Sequence, residues 1–128
     1  MTDPLVTAAR AAQARAYAPY SNFRVGAALE SESGDVFVGC NVENASYGLT
    51  ICAERAAVCA AVAAGARRIR RVVVVSDADP PAAPCGACRQ VLSEFGTDFR
   101  IDGVGPKRSI NWTMAELLPA AFGPDQLR

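Results

Sequence analysis

A chain of 128 residues, 51% apolar and 20% charged, is long enough to bury a core and too apolar to remain disordered. Thirteen basic and thirteen acidic side chains cancel, so no long-range field favours nucleic acid or an anionic membrane surface. These numbers fit one domain, residues 1–128, that takes a small and nearly neutral ligand.

Asp3-Pro4 reads as an N-cap followed by proline at the first helical position, and the Ala-rich segment with Arg10 and Arg15 continues as a helix to about Tyr17, where Ala18-Pro19 ends it. An ordinary first helix is expected there, not a targeting peptide. Residues 23–29 and 36–39 are short apolar runs separated by SESGD, which predicts a β-hairpin. Residues 41–50 carry too many turn formers for regular structure and predict a loop. The Ala-dominated run that follows Thr50 predicts a helix ending at Gly65. Its apolar stretch, residues 56–66, is shorter than the ~20 residues a membrane helix needs and reads as a buried helix. Val72 to Val75 predicts a central strand buried on both faces. After a Pro/Ala loop, residues 85–95 predict a second helix stopped at Gly96. Residues 98–102 and 107–111 predict two edge strands around a Gly103–Pro106 turn, and Thr113 caps a short helix through Leu118. This order implies a mixed sheet between helical layers.

Five cysteines are an odd number and no export pattern is apparent, so reduced thiols in a cytoplasm are expected in place of a disulfide framework. Cys85 and Cys88 stand three apart at a helix entrance, a spacing that also suits redox pairs, and Cys52 opens another helix. Three thiolates on a tetrahedral zinc leave one position for water, and Glu54, two residues past Cys52, is placed to carry protons. The chain has no histidine. Cys59 lies ~10 Å along the helix from Cys52, too far for ~2.3 Å bonds, and is expected to be a small core residue. Cys40 is expected to be buried or to end a strand. Three thiolates on a divalent ion leave an excess negative charge, which predicts a compensating cation from Arg55 and Arg89. The four arginines at 67, 68, 70 and 71 are expected to form a solvated turn, with no nucleic-acid patch.

C-A-E-R followed by P-C-G-A-C-R-Q resembles the zinc signature of the cytidine deaminases, with Cys52 where relatives acting on nucleic acid bases have histidine. The resemblance extends over YAPYSNF, VGAAL and GCNVENASYGLTICAER. It implies a three-layer α/β/α sandwich with a mixed five-stranded sheet, one Zn2+ per subunit, and a cytoplasmic homotetramer of pyrimidine salvage with sites at subunit interfaces. It implies hydrolysis of cytidine or deoxycytidine to the uridine nucleosides and ammonia, an activated water attacking C4 while Glu54 shuttles protons. By the same resemblance Cys52, Cys85 and Cys88 hold the metal, Asn41 and Glu43 hold the ribose hydroxyls, Phe23 packs on the base, and Ala53 offers backbone groups to the pyrimidine edge. Tyr47 and Phe122 fall where relatives reach into an adjacent subunit's pocket. Arg24 departs from the proline that many relatives have there.

Three other readings make distinct demands. A deaminase of a blasticidin-like nucleoside would share the chemistry, but Asn41 and Glu43 favour plain ribose. A non-enzymatic zinc module would need a fourth protein ligand, and a deaminase editing nucleic acid would need a basic groove with stacking aromatics.

Overall fold

The valine run lies at the centre of the molecule. In the computed structural model, which describes residues 3–127, strand β3 (Ile69–Val75) is third of five. The others are β1 (Gly26–Ser31), β2 (Val36–Cys40), β4 (Arg100–Val104) and β5 (Ser109–Thr113), in the order β2-β1-β3-β4-β5. All neighbours pair antiparallel except β3 and β4, which run parallel. The sheet is therefore mixed.

Side chains of β3 alternate between two cores. Val73 and Val75 join Ala28 under Leu5 and Ala9 of helix α1 (Pro4–Gln13). Val72 and Val74 join Ala27, Leu29 and Ile101 beneath helix α2 (Ala53–Ala63), Leu92 of helix α3 (Gly86–Ser93), and Met114 and Leu117 of helix α4 (Met114–Leu117). Helices on both faces of one sheet make the expected three layers. Among the described residues no helix is long and apolar enough to cross a membrane.

Two glycines set the helix-to-sheet spacing. A Cβ on Gly26 would collide with the backbone of Ala9 and Gln13, and one on Gly39 would stand 2.5 Å from the Ala53 carbonyl. The first turn of α2 therefore rests directly on β2.

Several expectations need correction. The first helix ends at Gln13, not Tyr17, because Tyr17 donates to Asn41 O at 3.0 Å and accepts from Glu43 N at 2.8 Å. Strand β4 is interior and includes Gly103 and Val104, since Val104 pairs with Val75; the turn falls later, closed by Gly105 N to Arg108 O at 2.9 Å. Helix α2 is buried on one face only, and Cys59 lies on its exposed face, outside the core.

Arg71 is no solvated turn residue. It sits in β3, half-buried, and its guanidinium bridges Asp3 Oδ2 and Asp102 Oδ2, each at 2.6 Å, binding the N-cap of α1 to β4. The hydrogen bond from Arg71 holds the Asp3 carboxyl below its ordinary value, with backbone donation from Leu5 adding to it. A carboxyl depressed in the fold stabilises it above the unfolded value of about 3.9 and loses that contribution as pH falls through the folded value. Arg71→Met should therefore cost roughly 1–3 kcal/mol at pH 7. Denaturant unfolding across a pH series should find this difference shrinking below about pH 4.

Candidate active site and metal centre

The sheet creates a cleft where β1 begins and β3 ends, since Gly26 pairs with Val75. Cys52 is the N-cap of α2 and Cys85 the N-cap of α3, and neither side chain makes a capping hydrogen bond. Both helices direct their amino ends at this cleft, and the positive potential there favours thiolate over thiol. Cys88, fully buried, adds a third sulfur from the first turn of α3.

The three Sγ atoms lie within 4.8 Å of one another, with Cys52 and Cys85 at 3.9 Å. Sulfurs bound tetrahedrally at ~2.3 Å stand ~3.8 Å apart, so the trio closes on one ion with little movement. Thiol donation from Cys88, and next the Arg55 guanidinium, lower the Cys52 pKa to about 5, with burial opposing them. Cys88 is pushed up because its thiol keeps its proton as the hydrogen-bond donor to Cys52, and because it is buried. One proton-sharing cluster results, and a divalent cation would displace its protons.

Arg55 supplies the expected positive charge. Its Nη2 donates to Thr50 O at 3.0 Å and approaches Cys52 Sγ at 4.0 Å. Its Nε is buried without a partner. A buried, unpartnered cationic donor beside three sulfurs suits a cluster carrying net negative charge. Arg89 donates instead to the carbonyls of Pro84 and Leu117.

Glu54 follows Cys52 by two residues on the buried face of α2 and is 6% exposed. Burial raises its pKa, and the nearby Cys52 thiolate raises it further. Glu54 shares a cleft of about 190 Å3 with Cys52, Cys85, Phe23, Asn41 and Ala53. Six predicted residues thus meet in one cavity.

Glu43 and Tyr47 line a second recess with Tyr20 and Ser21, and Thr50 borders both. Glu43 Oε1 accepts from the N–H groups of Tyr20 and Ser21 at 2.9 and 3.1 Å, while its other oxygen takes the Ser21 hydroxyl. The Ser21 hydroxyl, first of these donors, holds the Glu43 pKa down. Ser21 Oγ also accepts from Phe23 N at 3.0 Å. Ser21 therefore couples the carboxylate to the aromatic ring, a role the sequence analysis missed; its signal was the serine two residues before Phe23, the spacing of a side-chain turn. Asn41 spends half its amide on the loop, accepting from Val25 N and donating to Phe23 O. Val25, Val74, Ala82 and Ala83 complete the apolar lining and were likewise missed. Phe122 lies outside both recesses and is 58% exposed.

A sequence model described as the cytidine and deoxycytidylate deaminase zinc-binding region matches residues 2–101. The chain belongs to this family. A cytidine deaminase of Sporosarcina psychrophila is 42% identical over 132 residues, covering 98% of this chain and 93% of the relative. One from Mycobacterium tuberculosis is 49% identical over 118 residues, covering 91% and 85%. The crystal structure of cytidine deaminase from Burkholderia pseudomallei superposes with a TM-score of 0.90 at 50% identity, covering 95% of this chain and 100% of that one. The matched family region is a zinc-binding one, and within its span Cys52, Cys85 and Cys88 place three soft donors where one such ion could be held.

Equilibrium dialysis with zinc should find one ion per chain. Cys88→Ala should weaken its binding by more than about 100-fold, beyond what loss of an outlying partner costs.

Proposed function

We propose that this chain is a cytidine deaminase, a hydrolase that converts cytidine and deoxycytidine to uridine and deoxyuridine with release of ammonia. The observation that carries this reading is the buried Glu54 carboxyl, sharing one cleft with sulfurs that can hold zinc and with an aromatic ring. We further read residues 1–128 as a single catalytic domain working in the cytoplasm in pyrimidine salvage.

Zinc held by Cys52, Cys85 and Cys88 would supply a Lewis acid with one open position, lowering the pKa of water there. Glu54 takes the first proton from the water that attacks C4 and delivers it to N3 of the pyrimidine. It then carries the second to the amino nitrogen, the C4–N4 bond breaks, and ammonia leaves. Both protons come from the one water, so the balance closes. Ala53, first residue of α2, has an N–H with no intrahelical acceptor, suited to the pyrimidine edge. Phe23 offers its ring to the base face.

Ribose recognition follows from what the loop side chains have left. A carboxylate has about four acceptor sites, and Glu43 uses three within the protein, so one remains for a sugar hydroxyl. Asn41 keeps one N–H and one lone pair. A phosphate beside Glu43 would be repelled, which favours nucleosides over nucleotides.

The active form is read as a homotetramer with Tyr47 and Phe122 reaching adjacent subunits. Its support is an apolar patch beside the cleft: Tyr17, Val42 and Ile51 are joined by backbone bridges, Tyr20 and Tyr47 pack edge to face at 6.0 Å, and Leu49 is 66% exposed. Side chains of this size gain by being covered.

Glu54→Gln should retain full zinc and lose about 10²–10⁴-fold in kcat, read as ultraviolet loss of cytidine. Equal rates in both proteins would remove Glu54 from the chemistry. Leu49→Arg should shift sedimentation velocity profiles from tetramer to smaller species, and a parent chain sedimenting as a monomer would refute the assembly.

A further inference from the structure

The two residues after Cys88 make contacts that deamination does not use. Arg89 Nε donates to Pro84 O at 2.7 Å and its Nη1 to Leu117 O at 2.9 Å. Gln90 Nε2 donates to Phe122 O at 2.9 Å. Neighbouring side chains of α3 thus grip both ends of segment 117–122.

The gripped groups differ in how firmly the rest of the fold holds them. Leu117 is anchored, its side chain buried at 6% exposure in the core. Its carbonyl lies at the end of α4, where last-turn oxygens lack helical donors and a guanidinium is favourable. Leu118 still packs against the core, and beyond it the chain leaves: Pro119, Ala120 and Phe122 are exposed. Among the described residues, the other hydrogen bonds of residues 119–127 are local, between Gly123 and Gln126 and within the 3-10 turn Pro124–Leu127. Gln90 supplies the one side-chain hydrogen bond that, among the described residues, ties this stretch to the body of the protein.

At the other end of Arg89 stands Pro84, immediately before Cys85. Cys85 is exposed, and its side chain makes no capping hydrogen bond. The position of its sulfur is set by the backbone at residues 84–85, which Arg89 pins to α4.

We propose that Arg89 and Gln90 latch the C-terminal segment 117–122 to the metal-binding turn 84–88, so that zinc retention and tail order are coupled. Arg89 and Gln90 are positioning residues here, and the inference rests on Cys52, Cys85 and Cys88 being the zinc ligands. Zinc joins the first turn of α3 to α2 through those sulfurs and steadies the side chains one and two residues further on. Those side chains hold the tail. The coupling runs both ways, since a tail that favours the bound geometry is favoured by it to the same degree.

Two readouts test this in the full-length chain. Hydrogen exchange followed by mass spectrometry, with and without zinc, should find amides of residues 117–123 exchanging several-fold more slowly when zinc is bound. Zinc release into excess chromogenic chelator should be about 10–100-fold faster in Arg89→Ala. Gln90→Ala should release zinc measurably faster than the parent, and this exposed position carries the test should Arg89→Ala misfold. Parent-like release from Gln90→Ala, or tail exchange indifferent to zinc, overturns the latch even where thermal stability falls. A parent that binds no zinc refutes the reading of the metal centre and the latch with it.

Discussion

The meeting of two helix amino ends, each closed by a cysteine, is the constraint on which the site depends. Neither Cys52 nor Cys85 caps its helix with a hydrogen bond, so each sulfur is free for another partner while the helix dipole still favours its charge. Bringing three sulfurs within 4.8 Å would be repulsive once they ionise. Arg55, with its unpartnered buried Nε, offsets part of that repulsion, and a divalent ion offsets most of the rest. The fold serves this arrangement directly. Gly39 lets the first turn of α2 touch β2, and the parallel pairing of β3 with β4 makes α3 the crossover that returns Cys85 and Cys88 to the same end of the sheet.

Chemistry-bearing spacings and apolar runs were legible in the sequence. Val72 to Val75 predicted a central strand, C-x-x-C and C-A-E pointed to three sulfurs that do cluster and to a glutamate that does line the cleft beside them, and the Thr113 cap came with Glu116 completing a reciprocal box. Each of these is a local signal. What escaped was non-local. The first helix stops at Gln13 because Tyr17 pairs with a loop 24 residues on, and nothing near Tyr17 announces this. Gly103 and Val104 read as turn residues, yet the neighbouring strand recruits them.

Arginine and cysteine were misjudged for a related reason. Four arginines in five residues look solvated, but strand alternation sends Arg70 outward and Arg71 toward two carboxylates distant in sequence. Cys59 was assigned to the core by residue type, and helical phase places it on the exposed face of α2. Phe23, Asn41 and Ala53 at the cleft, and Glu43 in the neighbouring recess, were singled out through resemblance. Ser21 was not, since its importance lies in a bond to Glu43 that only the folded loop creates.

The sulfurs of Cys52 and Cys88 are separated by 36 positions of chain, across which lie helix α2 and strand β3. A nascent polypeptide therefore offers at most the neighbouring pair Cys85 and Cys88; all three sulfurs meet only after both helices have docked on the sheet. An ion held more tightly by three sulfurs than by two acts by mass action in favour of the finished fold. Metal supply during growth would then govern how long each molecule survives, leaving the pace at which it first assembles largely untouched.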